Sequence, residues 1–141
     1  MIFHAHKETI IADPPVKARP DIDIDLLSKI QPGSLEDSYV YVHCRCRNVG
    51  DDLLVRIWQS TFLVDHTSAD KSQLIHVDNI TLAPQWTLVP KNSTHNFLLV
   101  FGSLPASCKV FDLIEEIPQP GGFEIRSIRR NTSDVYHIDI L

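Results

Sequence analysis

Apolar and polar residues alternate along residues 38–48. The apolar positions Val40, Val42, Cys44 and Cys46 share one parity, and larger polar side chains occupy the positions between them. Because successive side chains of a β-strand point to opposite faces of a sheet, this pattern predicts a strand with one buried and one outward face. The outward residues are Tyr39, Tyr41, His43, Arg45 and Arg47.

The most apolar run in the chain is NFLLVF, at residues 96–101. It is too short to be a buried helix and is rich in aromatic and branched residues, so it predicts a core strand. It lies in the middle of residues 86–116, where we expect a first strand, this central strand, and a third strand after Leu104-Pro105. We expect the rest of the fold to be organised around this stretch.

Turn-forming sequences divide most of the remaining chain into further strands. Residues 48–52, the polar residues 67–72 and the PQPGG sequence at 118–122 are typical of turns and loops. The strands between them are predicted at 54–65, 73–82, 123–130 and 135–141, the last with Tyr136, Ile138 and Ile140 on one face. Strands of this length, with almost no helical periodicity, predict an all-β fold, an antiparallel β-sandwich.

The first 37 residues differ from the rest of the chain. Pro14, Pro15 and Pro20 interrupt regular structure there, although residues 2–11 have the apolar content of a short strand. We therefore predict an N-terminal extension, residues 1–37, which is able to add an edge strand, ahead of a sandwich domain at residues 38–141. A chain of 141 residues is long enough to bury a self-sufficient core.

The charge balance is acidic, with 13 Lys and Arg against 18 Asp and Glu and a formal net charge of −5. This balance favours solubility and disfavours a general binder of phosphate backbones. The N-terminus lacks a basic region followed by an apolar segment, so a secretory signal is not predicted. No apolar run reaches membrane-spanning length. We therefore expect a cytoplasmic protein that does not associate with membranes.

The three cysteines allow two interpretations. Cys44, Trp58 and Cys108 are spaced roughly as the Cys, Trp and Cys of antibody-like domains, which suggests a bridge from Cys44 or Cys46 to Cys108. However, Ala106 stands two residues before Cys108, where those domains carry a Tyr. A cytoplasmic chain also keeps its thiols reduced. Buried free thiols are therefore the favoured interpretation, with the bridge as the alternative.

No metal or cofactor site is predicted from the histidines and cysteines. His4 and His6 share a strand face, and His43, Cys44 and Cys46 form a ligand-like cluster in the sequence. Strand alternation sends His43 outward and both cysteines inward, so the three side chains do not meet at one ion. No second pair of ligands stands at zinc-site spacing.

No catalytic motif is present either. Asp65, His66, Thr67 and Ser68 contain the side chains of a hydrolytic triad, but neighbouring residues of an extended chain point apart. The sequence has no nucleophile elbow and no glycine loop that would hold a phosphate. We therefore expect a protein that is not an enzyme.

The outward face of residues 39–47 is the candidate binding surface. Exposed tyrosines and arginines stack on bases, hold sugars or anchor protein partners. The alternative is a cross-strand ladder, in which these side chains cover the sheet and each Arg pairs with a neighbouring acid. Arg126, Arg129 and Arg130 would extend the basic surface if their strand lay nearby.

From Phe62 onward the chain contains the segments FLVD, WTLVP, FLLVF, Leu104-Pro105 and FDLIE, and then the strand residues Ile128, Tyr136 and Ile138. Together they resemble telokin-like, immunoglobulin-related β-sandwich modules of uncharacterised bacterial proteins, which implies an immunoglobulin-like sandwich of roughly seven to nine strands. The resemblance covers roughly the last 80 to 100 residues. The resemblance implies adhesion, assembly or ligand binding, and such modules share no catalytic residues.

The function expected from these observations is a non-catalytic binding or assembly module. Its Tyr/Arg face would meet a protein partner or a second copy of the chain. The first alternative is a carbohydrate-binding or carbohydrate-processing domain, which an exposed Trp58 or Trp86 near an acid would favour and a buried Trp would disfavour. The second alternative is a single-stranded nucleic-acid binder, against which the net charge weighs.

Overall fold

Period-two patterning and short turns produce a protein made of strands. The computed structural model describes Glu8–Thr9 and residues 39–140, and within these residues it contains ten strands and no helix. The strands are β1 (Glu8–Thr9), β2 (Val40–Asn48), β3 (Leu53–Val55), β4 (Thr61–Asp65), β5 (Lys71–Asp78), β6 (Thr87–Val89), β7 (Ser93–Phe101), β8 (Val110–Glu115), β9 (Glu124–Arg129) and β10 (Val135–Ile140). The predicted all-β class is confirmed.

Eight of the strands form one large sheet, in the order β1-β10-β2-β7-β5-β4-β8-β9. The other two strands, β3 and β6, form a separate antiparallel ribbon. The strand β7, which contains the predicted core run, lies between β2 and β5 and pairs antiparallel with both. The prediction of a central strand at residues 96–101 is therefore confirmed.

One pair of strands departs from the antiparallel expectation. Strand β10 pairs with β2 in parallel, in a register that runs from Val135 opposite Tyr41 to Ile140 opposite Cys46. The expectation of a wholly antiparallel fold is wrong at this pair. The physical reason is that β10 follows β9, which lies at the other end of the strand order. Because no hairpin turn joins β10 to β2, its direction is not fixed as antiparallel.

The large sheet curls because β5 changes partners along its length. Residues Lys71 to Gln73 pair with β4, and Leu74 to Asp78 pair with β7, with a register irregularity between Leu74 and His76. Such a bulge bends a strand and increases its twist. The curl brings β8 near β10, so that the ring of Phe111 meets the ring of Tyr136 edge-on, with 5.1 Å between centroids. The two halves of the sheet therefore share one core.

The inward positions of the outer strands match the sequence pattern. Val40, Val42, Cys44 and Cys46 are buried in the main core, as the alternation predicts. Tyr136, Ile138 and Ile140 of β10 are also buried there, as predicted. Both sets of residues therefore contribute to the same hydrophobic core that β7 crosses.

The predicted strand at 54–65 is wrong in one respect, since the chain breaks it into β3 and β4. The backbone N–H of Trp58 donates to Glu115 Oε2 at 3.0 Å, and Thr61 Oγ1 donates to the Trp58 carbonyl at 2.7 Å. These bonds hold residues 58–61 in a turn, so the chain leaves the ribbon and enters the large sheet. Apolar character continues across this break, and the sequence pattern therefore conceals it.

The N-terminal region enters the described structure at one place. Strand β1 pairs antiparallel with β10 at the end of the large sheet, with Glu8 opposite Ile140 and Thr9 opposite Asp139. The other residues of the predicted extension lie outside the described residues, and so do His4 and His6. In residues 8–9 and 39–140, no helix has the length and apolar character needed to cross a membrane.

The core position of β7 gives a stability prediction. Leu99 is fully buried in the main core, and Leu99→Ala should lower the free energy of unfolding by about 2–5 kcal/mol because it removes packing atoms and leaves a cavity. Leu88→Ala is the matched control, since Leu88 is exposed and its loss should change stability by about 0.5 kcal/mol or less. Urea unfolding measures both values, and equal effects would contradict a core built around β7.

Candidate functional site

The two tyrosines of the predicted Tyr/Arg face are buried. Tyr39 is 4% exposed and Tyr41 is 2% exposed, so the expectation that these two side chains are exposed is wrong. Tyr41 lies opposite Val100 of β7 and Val135 of β10. With Leu98, these residues form a second hydrophobic cluster, separate from the main core. The tyrosines are therefore packing residues in this structure.

His43 lies beside the tyrosines and is half buried. It is the cross-strand partner of His137, and the two imidazole rings stack with 4.8 Å between centroids and 10° between planes. Burial lowers the pKa of His43 below its ordinary value, and the neighbouring His137 lowers it further. The pair is thus more favourable when His43 is neutral.

The arginines of the same face are exposed. Arg45 forms a two-pronged ion pair with Asp139, its partner in β10, with Nε–Oδ1 at 2.7 Å and Nη2–Oδ2 at 2.8 Å. This contact is the one expected from the cross-strand ladder. Of the five predicted binding residues, Arg45 and Arg47 therefore remain accessible and His43 is partly so.

Two of the arginines that would extend this face pair with carboxylates. Strand β9 lies at the opposite end of the strand order from β10 and β2, although the carbonyl of Asp134, the partner of Arg130, accepts the backbone N–H of Tyr41 at 2.9 Å. Arg126 donates to the carboxylates of Glu124 and Asp112, and Arg130 binds Asp134 through two hydrogen bonds. Carboxylates thus offset both charges, and these two arginines do not build a continuous basic surface.

The cysteines are free, and all three are buried. Burial raises the pKa of Cys46 to about 11, and burial together with the neighbouring Cys46 raises that of Cys44. Thiols with raised pKa values hold little thiolate at neutral pH and react slowly. The favoured interpretation of buried free thiols agrees with this arrangement, and the alternative bridge to Cys108 is not formed.

Residues 65–68 do not assemble a triad. His66 Nε2 lies 2.6 Å from Asp112 Oδ1, while Ser68 Oγ donates to Asp65 Oδ2 at 2.8 Å. The histidine and the hydroxyl thus contact two different carboxylates. In residues 39–140, no group of three or more His, Cys, Asp or Glu side chains is placed to hold a metal ion.

A different surface is formed by the β3–β6 ribbon. Its register places Leu53 opposite Val89, both buried, and Leu54 opposite Leu88, both exposed. The side chains of Leu54 and Leu88 are 43% and 54% exposed, and nearby Trp86 is 40% exposed. The ribbon thus has one face in the core and one apolar face toward solvent.

Arg56 and Trp86 continue this outward face by one further cross-strand position. The guanidinium carbon of Arg56 lies 3.8 Å from the centroid of the Trp86 ring and 5.3 Å from that of Trp58. Arg56 Nη1 also donates to the Pro84 carbonyl at 3.0 Å, which fixes the stack. We call Leu54, Arg56, Trp86 and Leu88 the ribbon face.

Two N–H groups at the ribbon face are buried without an acceptor among the described residues. They are Arg56 Nε and Trp58 Nε1. The acid Glu115 contacts the same segment, since its Oε2 accepts the Trp58 backbone N–H. Burial raises the pKa of Glu115, although its hydrogen bonds oppose that shift. The site therefore combines two buried hydrogen-bond donors with an exposed apolar surface.

The ribbon face was not predicted from the sequence. The spacing of the residues would have indicated it. Leu54, Arg56 and Trp58 are every second residue of one segment, and Trp86 and Leu88 are every second residue of another, so each set shares one face of a strand. The alternation does not show that these two segments pair with each other. That pairing comes from the break at residues 58–61, which frees β3 from the large sheet.

Comparison with protein-family models, with curated proteins and with solved structures finds no match to this chain. The resemblance to telokin-like modules therefore stays a prediction drawn from the residues. The function of the site has to be inferred from its own geometry and chemistry.

The stacked histidines give a prediction about pH. Because the pKa of His43 is lowered in the fold, the unfolded chain binds a proton more readily there. The contribution of neutral His43 to the free energy of unfolding is complete above the ordinary histidine pKa of about 6.5. It is lost as pH falls toward the lower pKa that His43 has in the folded state. Urea unfolding at pH 7.5 and 5.0 should therefore show a smaller acid-induced loss of stability for His43→Gln than for the unaltered protein.

The control for this prediction is His76→Gln, which changes a histidine of β5 outside the stack. It should keep the pH dependence of the unaltered protein. If His43→Gln showed the same acid-induced loss as the control, protonation of the stack would not contribute to acid sensitivity.

Proposed function

We propose that this protein is a non-catalytic binding or assembly module that contacts a protein partner through the ribbon face. The observation that carries the proposal is the grouping of exposed Leu54, Trp86 and Leu88 around Arg56 on one side of a two-stranded ribbon. Single exposed apolar residues are common on protein surfaces, whereas a contiguous group marks an interaction site.

The residue types of the ribbon face suit a protein interface. Trp and Arg are enriched among the residues that supply most of the binding energy, and such residues cluster at the centre of an interface. Leu54 and Leu88 lie beside them and supply apolar area that a partner is able to cover. This composition distinguishes the ribbon face from a solvated ladder of charges.

Preorganisation also supports the proposal. The bond from Arg56 Nη1 to the Pro84 carbonyl restricts the long arginine side chain before any partner arrives. Ordering long side chains upon binding costs free energy, so a surface that is ordered beforehand binds more tightly.

The predicted Tyr/Arg face has weaker support as the contact surface. Its tyrosines are buried, and Arg45 is already paired with Asp139. Exposed Arg47 adds one charge at the end of β2. A partner that bound Arg45 would have to break or share its ion pair with Asp139, and this would offset part of the binding free energy.

For the fold itself, we propose the immunoglobulin-like sandwich as the finer description. The change of partners by β5 and the contact between Phe111 and Tyr136 support two facing layers. The parallel β10–β2 pair is a departure from the antiparallel form. Membership of a telokin-like bacterial family and a cytoplasmic location stay predictions from the sequence.

Carbohydrate binding is the second candidate, and exposed Trp86 is the observation that favours it. Sugar rings stack on aromatic faces. The acid beside Trp58, Glu115, is buried, and its Oε2 accepts the Trp58 backbone N–H. However, Arg56 already lies against one face of the Trp86 ring. Nucleic-acid binding gains no comparable support, because Arg45, Arg126 and Arg130 each pair with a carboxylate.

The test of the proposed function is affinity capture from a lysate of the source organism, quantified by mass spectrometry. The double variant Leu54→Ser with Leu88→Ser should capture at least tenfold less of each specific partner than the unaltered protein, because the apolar contact area is removed. Arg45→Ala combined with Arg47→Ala is the matched control on β2 and should retain the partners. Thermal unfolding must first show that both double variants fold.

The same comparison decides against the ribbon face if the result is reversed. Partners kept by the Leu54/Leu88 variant and lost by the Arg45/Arg47 variant would assign the contact to β2. If the captured partner is the chain itself, sedimentation should show a dimer that the Leu54/Leu88 variant dissociates.

A thermal-shift panel of mono- and oligosaccharides separates the second candidate from the first. A ligand that binds only the folded state raises the melting temperature. We expect no sugar to raise it. A rise that Trp86→Ala abolishes would favour carbohydrate binding over protein binding.

A further inference from the structure

Arg56 differs from Arg45, Arg126 and Arg130 in its electrostatic surroundings, and it differs from the exposed Arg47 and Arg129 in being partly buried. Arg45, Arg126 and Arg130 each lie within ion-pair distance of a carboxylate. Among the described residues, Arg56 has no such partner, and its recorded hydrogen bond goes to a backbone carbonyl. A guanidinium that is partly buried between two indole rings without a counter-ion leaves its charge uncompensated.

Two acids that contact the ribbon segments, Asp52 and Glu115, bind backbone N–H groups and are not ion-pair partners of Arg56. Asp52 Oδ1 accepts the backbone N–H of Lys91 at 2.9 Å, and Glu115 Oε2 accepts the backbone N–H of Trp58 at 3.0 Å. Both carboxylates are thus used to hold the chain around the ribbon. The ribbon face therefore has a positive centre with apolar flanks.

The buried donors have a matching chemistry. Arg56 Nε and Trp58 Nε1 are N–H groups that cannot accept hydrogen bonds, and neither has an acceptor among the described residues. Buried donors of this kind are normally paired, because leaving them unpaired costs free energy. An oxygen acceptor with a negative charge would satisfy both the unpaired donors and the uncompensated guanidinium.

We propose that the ribbon face recognises a carboxylate side chain flanked by apolar residues, in an acidic-apolar segment of a protein partner. This inference rests on the proposed binding function and names the chemistry of the partner. The carboxylate binds the N–H groups of Arg56 and Trp58, while its apolar neighbours cover Leu54 and Leu88. Because Trp86 lies over the guanidinium, its indole ring shifts aside to admit the carboxylate.

The charge of the carboxylate and the two leucines have separable roles. The leucines supply apolar area to any peptide with apolar residues, whereas the Arg56–Trp58 donors discriminate an acid from its amide. A glutamine in place of a glutamate keeps the shape and an acceptor oxygen but removes the charge. Comparing these two side chains therefore isolates the proposed recognition.

The experiment is a titration of the ¹⁵N-labelled full chain followed by NMR. The chain has two tryptophans, so the spectrum contains two indole N–H signals, and Trp58→Phe assigns them. The probes are the peptides acetyl-Leu-Glu-Leu-amide and acetyl-Leu-Gln-Leu-amide, in which the Glu side chain is the single charge. We expect the acidic peptide to shift the Trp58 indole signal saturably and to bind at least tenfold more tightly than the Gln peptide.

The matched variant is Arg56→Lys, which keeps a positive charge but lacks the planar set of N–H donors. It should reduce affinity for the acidic peptide at least tenfold and leave the weak binding of the Gln peptide unchanged. Arg47→Lys, on exposed β2, is the control and should bind both peptides as the unaltered protein does. Thermal unfolding checks that Arg56→Lys is folded, and Arg56→Gln replaces it if it is not.

Each other result overturns the inference. Equal affinity for the two peptides, with the Leu54/Leu88 variant losing its partners, would leave the binding function standing and reject the carboxylate. Absence of binding by either peptide would reject the carboxylate, and the capture experiment would then decide the binding function independently. A Trp58 shift that survives in the Arg56 variants would place the acid elsewhere.

Discussion

The burial of β7 on both faces is the constraint on which the rest of the structure depends. Leu99 and Phe101 lie in the main core, while Leu98 and Val100 point to the opposite side of the same strand and are also buried. A strand that is apolar on both faces requires apolar neighbours on both faces. Tyr41 of β2 lies beside β7 on that second side, and Val135 of β10 lies beside Tyr41, so both are buried.

The sequence predicts which side chains point into the core better than it predicts which strands pair with each other. Alternation is a local property, so Val40, Val42 and the inward residues of β10 follow directly from their spacing. The turn at residues 58–61 depends on a bond between Trp58 and Glu115, which are 57 positions apart. The parallel β10–β2 pair likewise depends on where distant strands arrive. Neither feature leaves a local pattern that a reader of the sequence is able to detect.

The same distinction explains why residues of β2 that the sequence predicts to be exposed are buried or paired, whereas the ribbon carries exposed apolar residues. Polar identity and parity correctly place Tyr41 on the side of β2 opposite Val42, but the environment of that side is set by β7 and β10. For Arg45, the decisive fact is that Asp139 lies directly across the strand pair. Arg56 is also an arginine on the outward side of its segment, but it has a different set of neighbours. Neighbours, rather than residue type, decide which arginine pairs with a carboxylate.

The parallel pair has a consequence for the order in which the protein is made. Arg45 and Asp139 are 94 positions apart, so one side of β2 has no partner strand until residues 135–140 have left the ribosome. During synthesis β2 can pair with β7 alone, and the side later occupied by β10 stays open. An open strand side is a template for pairing with other chains. This side of β2 can therefore close only after β10 has been made, and before then it is the part of the growing sheet with which other chains can pair.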